Sequence, residues 1–323
     1  MNTNGIVDIL NALPTSKLIS TVSAGIGKLY EPTHIKRIAK AKAEEIKLIS
    51  GVMEECSVIP TQYNDGSLTL NNTDWDNFVR RTQGRMAFQE LQKQNNIECV
   101  VAKAYNILEN EQTCSDEPVE QGWINRFFDS VADVSDDDLQ KLWGKVLAGE
   151  IKQPNSYSLR TLETLKNLSR YEAELFRKIA PYILKCYGNE SKTFYDYFLL
   201  SGCVSMNHIS QKMQVNFPMI LDLSNAGLIS SNSLISAGID INSNVTETIY
   251  GISESIQIHN NGSDIVNIRA SAFILSTAGK ELLPVVLSTS DTHPYQTYMN
   301  DCWSIISQES TPATNLTIKF YTV

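Results

Sequence analysis

No run of about 18 consecutive apolar residues occurs in this 323-residue chain, so no segment reads as a membrane-spanning helix. Glycine and proline are sparse, at 16 and 10 residues, which excludes collagen-like and low-complexity classes. Basic residues are outnumbered, 27 Lys and Arg against 36 Asp and Glu, for a net charge of −9. That balance excludes a protein that coats nucleic acid through general basicity. The six cysteines, Cys56, Cys99, Cys114, Cys186, Cys203 and Cys302, include no C-x-x-C pair and read as buried thiols of a reducing compartment. Residues 1–20 have neither a basic n-region nor a long apolar run, so the expectation is a cytoplasmic chain without a secretory signal.

Catalytic spacings are missing as well. The histidines His34, His208, His259 and His293 lie far apart, and no H-E-x-x-H, Cys/His zinc spacing or G-x-S-x-G is present. Gly25-Ile26-Gly27-Lys28 has part of a phosphate loop, but it lies inside an amphipathic helix pattern and is followed by Leu29. The run Asp136-Asp137-Asp138 could be drawn as a metal site; favourable charge at a helix N-terminus is the simpler reading. Trp123 and Trp143 sit on apolar faces and read as core. Catalytic groups can still assemble from distant residues. The expectation leans towards a non-enzyme with no cofactor and no metal.

What is present is helical pattern and segregated charge. Residues 109–138 hold ten acids and one base, Arg126, and so equal the whole net charge. The stretch 17–42 carries Lys17, Lys28, Lys36, Arg37, Lys40 and Lys42 against Glu31 alone. Leu18, Ile19, Val22 and Ile26 mark the apolar face of a helix after Pro14, and a basic helix follows over 34–55. Residues 57–72 read as a loop. Thr73 and Asp76 open a proline-free helix to about Glu109, polar in its middle. Such a helix usually packs on a second long helix or on a partner chain, and the 33–55 helix is the obvious intramolecular candidate.

Four patterned helices follow. The first is lined by Trp123, Ile124, Phe127, Phe128 and Val131. Ser135 with Asp138 is expected to cap the second, which Gly149 and Pro154 bracket at its end. Leu159, Leu162, Leu165 and Leu168 mark the third, and Ser169 with Glu172 caps the fourth. The apolar stretch 194–204 follows, then helices over 208–215 and 216–230, the latter ending at Gly227. A strand over 248–259, a turn at Asn260-Asn261-Gly262 and a returning strand over 264–275 read as a hairpin. Thr277 is expected to cap a short helix, 297–308 is ambiguous in type, and the chain closes on a strand.

The expected architecture is mainly α in the first two thirds and α+β at the C-terminus: a helical bundle with long helices, then a winged-helix-like domain. Its segments are 1–56, amphipathic and basic; 73–187, the helical core domain; and 194–323, the winged-helix-like part. A DNA-reading winged helix needs bases and amides on its second helix. Residues 217–225 contain no Lys or Arg, and 201–323 hold four bases against nine acids, so nucleic acid is disfavoured.

The stretch from Trp123 to Ala180 carries W-I-N-R-F-F-D, L-W-G-K-V-L-A-G-E-I, S-L-R-T-L-E-T-L-K-N-L-S and E-A-E-L-F. It resembles an uncharacterised bacterial family, a domain of unknown function, with L-W-G-K-x-L-A-G-E and L-R-T-L-x-x-L-K-N-L-S signatures. Outside it, G-K-L-Y-E-P (27–32), A-G-L-I (226–229) and L-S-T-A-G-K-E-L (275–282) are similar to the same family. More distantly the layout resembles the Abi-alpha type of abortive-infection proteins. That resemblance implies an anti-phage role and assigns no catalytic residue. Glu150, Arg160 and Asn167 stand out in the shared stretches, with helix ends and solvated faces as an equal reading.

The expectation is therefore a non-enzymatic bacterial defence factor, acting by self-assembly or protein–protein recognition. The first alternative is a peripheral membrane effector, cytoplasmic until it associates with membrane on activation, with Leu18, Ile19, Val22, Ile26, Lys36, Arg37 and Lys40 as partner- or membrane-facing residues. The second alternative is a DNA-binding regulator.

Overall fold

Side-chain caps and apolar periodicity decide where the helices of this chain begin and which faces they bury. A computed structural model describes residues 14–26, 62–64, 67–69, 72–186, 197–205, 207–230, 235–251, 254–287, 297–310 and 315–322. The 34–55 helix pattern, with Lys36, Arg37 and Lys40, lies outside them. The chain divides into two units, Met1–Ser156 and Tyr157–Val323.

The first unit holds α1 (Pro14–Ile26), a two-stranded antiparallel hairpin of β1 (Gln62–Asn64) and β2 (Ser67–Thr69), α2 (Asn72–Leu108), α3 (Gln121–Val131) and α4 (Asp137–Lys152). The hairpin replaces the loop expected over 57–72. At 37 residues α2 is roughly 55 Å long. Among the described residues its C-terminal end is the clamped one: Ile97, Val100, Val101, Ala104 and Leu108 are buried, and α1, α3 and α4 pack around α2.

The clamp is tightest at Gly144 on α4. A Cβ there would lie 2.8 Å from Lys103 Cβ, 3.3 Å from Ala104 N and 3.3 Å from Val100 O. The missing side chain lets two helix backbones touch. The neighbouring Trp143 is 1% exposed and meets Phe127 edge-on at 5.4 Å, and Phe127 in turn stacks on Trp123 at 5.0 Å. Each such buried ring contributes about 1.5–3 kcal/mol of apolar burial. Asn96 is 4% exposed and gives its Nδ2–H to Ala132 O at 2.8 Å, tying α2 to the end of α3.

The cap of α4 is Asp136, whose carboxylate accepts from the Asp138 and Leu139 amides, in place of the expected Ser135. A carboxylate on two amides satisfies more free donors than a hydroxyl on one. The helix also runs through Gly149 to Lys152, because its Ala148 and Ile151 are still buried.

The second unit begins with α5 (Leu159–Asn167) and α6 (Arg170–Ile179), then a turn of 3-10 helix over Ala180–Tyr182. The Ser169–Glu172 capping box forms as the spacing predicts. The division after Ser156 falls inside the segment 73–187 that the sequence groups as one domain. The reason is packing: α5 contacts α10 (Thr277–Val286), and α6 contacts α9 (Phe217–Asn225), both later in the chain. Glu281 Oε2 on α10 accepts from Ser158 N at 2.7 Å and from Thr161 Oγ1 at 2.5 Å, fastening the start of α5. The cap of α10 is Ser276, accepting from Gly279 N, and not Thr277.

The expected apolar stretch 194–204 splits into β4 (Tyr197–Leu200) and α7 (Ser201–Ser205), and α8 spans Asn207–Met213. Gly227, at φ +80°, follows the end of α9 in the left-handed region that glycine adopts without strain. The remaining strands are β3 (Leu184–Cys186), β5 (Ile235–Ile241), β6 (Thr246–Tyr250), β7 (Glu254–Asn260), β8 (Val266–Ile274) and β9 (Leu316–Thr322). They form one seven-stranded sheet in the order β5-β8-β4-β3-β6-β7-β9, antiparallel throughout.

The hairpin expected across Asn260-Asn261-Gly262 is not made. The 248–259 run is divided between β6, ending at Tyr250, and β7, beginning at Glu254, which pair with each other, while β8 pairs with β5 and β4. Asn260 is fully buried and holds a wide connection instead. Its Nδ2 donates to Ile241 O and Asp264 O, and its Oδ1 accepts from Gly262 N. The ambiguous 297–308 stretch is α11 (Tyr298–Glu309), packed on β8, β7 and α7.

Tyr298 is buried and donates to Tyr182 O at 2.6 Å, with Cys203 Sγ 3.7 Å away. Burial raises the Tyr298 phenol well above its ordinary value and does the same for the Cys302 thiol, so both stay protonated and serve packing.

The same substitution should have opposite signs at two glycines. Gly144→Ala forces a methyl into the α2 backbone and should cost roughly 1–3 kcal/mol by urea denaturation. Gly84→Ala, at an α2 position with nothing within 4 Å of a Cβ, should stabilise by up to about 1 kcal/mol. Equal effects would refute the close-approach account.

Candidate interaction surface

Beyond its clamped end, α2 is left largely exposed by the described residues. From Asn77 to Lys93 no residue is buried. Four large apolar side chains stand out there: Phe78 at 41% exposure, Met86 at 56%, Phe88 at 37% and Leu91 at 46%. Arg80, Arg81 and Arg85 share the segment, and Arg85 Nη1 donates to Gln89 Oε1 at 3.2 Å. Local i, i+4 contacts and good helix formers support the turn geometry, but little apolar burial does. The mixture of arginine with large apolar side chains is the composition of a protein interface core. The sequence places this helix and expects either the 33–55 helix or a partner chain against it; the 33–55 segment lies outside the described residues. The sequence does not single out Met86, Phe88 and Leu91, which look like noise in a weakly periodic, polar stretch; their shared lack of cover is a tertiary fact.

Where α2 meets α1 and α3, a groove of about 580 Å³ opens. Glu90, Asp129 and Asp133 line it with Lys93 as the one base, beside Ile97 and Phe128. A second groove of about 320 Å³ adjoins it, sharing Lys93, Ala132 and Asp133. Lys93 Nζ lies 2.9 Å from Glu90 Oε1, and that hydrogen bond and charge raise the lysine pKa, with Asp133 adding to the effect. Among the described residues no group of three or more His, Cys, Asp or Glu could hold a metal ion.

The acidic run leading into α4 has structural partners. Asp136 is the cap; Asp137 meets Lys103 at 2.9 Å and Lys141 at 2.8 Å; Asp138 meets Lys141 at 3.0 Å. Glu111 meets Lys152 at 2.7 Å. These pairs join the clamped end of α2 to the start of α4 and the linker to its end.

The membrane- or partner-facing candidates separate. Leu18 and Val22 are fully buried against the first unit's own helices, and Ile19 is half-buried. Lys17 Nζ donates to Ser115 O at 2.7 Å, and Gln121 Nε2 donates to Ala24 O at 3.2 Å. A Cβ on Gly25 would lie 2.4 Å from the Phe128 ring, so Gly25 belongs to a packed helix and not to a phosphate loop. The side chain of Ile26, like Lys36, Arg37 and Lys40, lies outside the described residues. Among the described residues no helix is long and apolar enough to cross a membrane.

Glu150, at 2% exposure, accepts from Asn155 N at 2.7 Å and shapes the turn after α4. Arg160 and Asn167 are exposed, and Asn167 Nδ2 donates to Glu163 O at 2.8 Å. His208 lies 3.3 Å from Asp301 and His259 2.9 Å from Thr246, in different parts of the second unit. Among the described residues, these contacts are local and lie apart from one another.

A second exposed apolar patch lies on α9. Phe217 and Leu221 are open while Ile220 and Leu223 are buried, and Tyr171 Oη on α6 reaches Asp222 Oδ2 at 3.4 Å. No Lys or Arg lies on α9.

Residues 80–300 match a family model described as protein of unknown function (DUF2806). No curated protein and no solved structure matches the chain.

The charge pairs predict a pH dependence. Hydrogen bonds from Lys103 and Lys141, with their charges, hold the Asp137 carboxyl at about 2, below its ordinary value of 3.8. Its stabilising effect is complete above the ordinary value and disappears as pH falls through about 2. The side chain is 66% exposed, so water and salt screen the effect. A carboxyl-carbon NMR titration should place Asp137 below the other aspartates, and Lys103→Met should move it upward; an ordinary midpoint in wild type would contradict the pairing.

Proposed function

Since the chain belongs to the DUF2806 family of proteins of unknown function, we propose that it is a non-catalytic bacterial protein that works by assembly, with itself or with a protein partner, through the open half of α2. The observation that carries this reading is the uncovered stretch from Asn77 to Lys93 with Met86, Phe88 and Leu91 exposed. Isolated surface leucines need no explanation, but three large apolar side chains within six residues beside three arginines do. The helix is rigidly anchored at one end by the Gly144 clamp, so the open half is presented in a fixed direction from its own core. Preorganisation of that kind lowers the cost of binding.

We read α1–α4 as a helical bundle and α8, α9, β5 and β8 as a winged-helix-like module. The isolated bridge from Ile229 to Leu275 and the β5–β8 ladder support the second reading. Its second helix offers Phe217, Leu221 and Asp222 and no base, which favours a protein ligand over DNA. The membrane alternative loses ground because Leu18 and Val22 pack inward. The biological setting we propose is anti-phage defence of the abortive-infection kind, on the Abi-alpha resemblance of the middle stretch.

Light scattering of the full-length protein should show an assembly, or a partner complex in the native host. Phe88→Glu with Leu91→Glu should reduce it to monomer while the circular dichroism spectrum stays unchanged. In cells, the same double variant should lose whatever reduction in phage plaques the wild-type gene confers. A wild-type protein that stays monomeric and free of partners, in cells whose phage susceptibility does not change on deletion, would sink the proposal.

A further inference from the structure

The sheet of the second unit is unfinished at β9. This strand pairs with β7 alone, from Leu316 opposite Asn260 to Thr322 opposite Glu254. Among the described residues no strand lies on its other side. A seven-residue edge therefore presents a row of backbone donors and acceptors. Natural edges are usually protected by charge, proline, a bulge or shortness. This one carries a single charge, Lys319, and no proline.

The side chains are unfinished in the same place. Directly opposite residues in an antiparallel pair share a face. Phe320 sits opposite Ile256, and Ile318 opposite Ile258, and both isoleucines are fully buried. One strand further out, Phe320 is 45% exposed on that same face. Tyr321 and Lys319 lie on the other face, opposite Ser255 and Gln257, and Tyr321 is 42% exposed. Among the described residues the edge lacks both a hydrogen-bonding neighbour and an apolar one, and only another β-strand supplies the two together.

We propose that β9 pairs antiparallel with β9 of a second copy of this chain, joining two sheets across a two-fold axis. An axis perpendicular to the sheet keeps each side chain on its face, so it must pass through a residue and not between two. Centred on Lys319, it would set two ammonium groups opposite each other. Centred on Ile318, it would leave Tyr321 opposite the partner's Asn315. Centred on Phe320, it sets Phe320 against the partner's Phe320, Lys319 against the partner's Tyr321 and Ile318 against the partner's Thr322. That register stacks the exposed aromatic rings, places each cation beside a tyrosine and keeps the lysines apart. The isologous contact closes at two copies. It involves the second unit only and does not rest on the helical surface of α2.

Cysteine cross-linking in the full chain tests the register. Antiparallel partners lie about 5 Å apart at Cα, within disulfide reach. Phe320→Cys should give a covalent dimer under mild copper–phenanthroline oxidation. Ile318→Cys, four residues from its own copy and so roughly 13 Å away, should cross-link no more than wild type. A mixture of Lys319→Cys and Tyr321→Cys reads the same register if Phe320→Cys does not fold. Adding Phe88→Glu should leave the cross-link intact, which separates this edge from assembly through α2. Equal linking at 318 and 320, a monomeric product from both the Phe320→Cys and the mixed experiment, or loss of the link with Phe88→Glu would overturn it. So would an open-ended polymer of the unmodified chain seen by light scattering, as pairing of β9 with β5 would give.

Discussion

The contact on which the first unit depends is backbone against backbone, where α4 lies on α2 at Gly144. With a Cβ excluded at 2.8 Å from Lys103, the two helices approach as closely as their main chains allow. Everything adjacent follows from that distance. Trp143 is carried into the Phe127 and Trp123 rings, Asp137 is carried to Lys103, and Asn96 reaches the end of α3. The clamp acts on one end of a 37-residue helix, and the described residues leave the other end exposed. On the proposed reading, stability and availability for binding fall to two halves of one element.

Charge follows the same division. Of the ten acids of 109–138, Asp136 caps α4, Asp137, Asp138 and Glu111 pair with Lys103, Lys141 and Lys152, and Asp129 and Asp133 line the grooves beside α3. What reads as a large acidic excess is largely local bookkeeping between linker and helix ends. The second unit is built differently: one antiparallel sheet with α11 on its face, fixed by polar groups such as the buried Asn260 and the half-buried Glu281 that hold connections and helix starts. Its stretches that resemble the family have structural roles, since Thr161 binds Glu281 and Gly227 turns the chain after α9.

Much of the helical part was legible because cap and periodicity agree there, as in the Ser169–Glu172 box, which forms as written, whereas α2 begins at Asn72, one residue ahead of the Thr73 expected to cap it. Where two capping residues compete, as Ser135 and Asp136 or Ser276 and Thr277, local spacing does not choose between them; amide geometry does. The sheet was legible as strands but not as pairings. Asn260-Asn261-Gly262 carries a strong turn signal, yet the buried Asn260 side chain commits it to a wide connection, and β7 and β8 take other neighbours. Pairing of that kind depends on residues distant in sequence, and β9 with β7 is the plainest case. The candidate surface was half legible: a polar long helix asks for a partner, but that Met86, Phe88 and Leu91 are uncovered is decided by what α1, α3 and α4 fail to reach.

Amide hydrogen exchange along α2, followed as protein concentration rises, tests the central claim most directly. Residues 97–108 should be protected at every concentration, and residues 77–93 should gain protection only as the protein assembles. Exchange in 77–93 that is independent of concentration and of any partner, in a preparation that light scattering shows to be assembled, would contradict the assignment of this half of the helix to an interface.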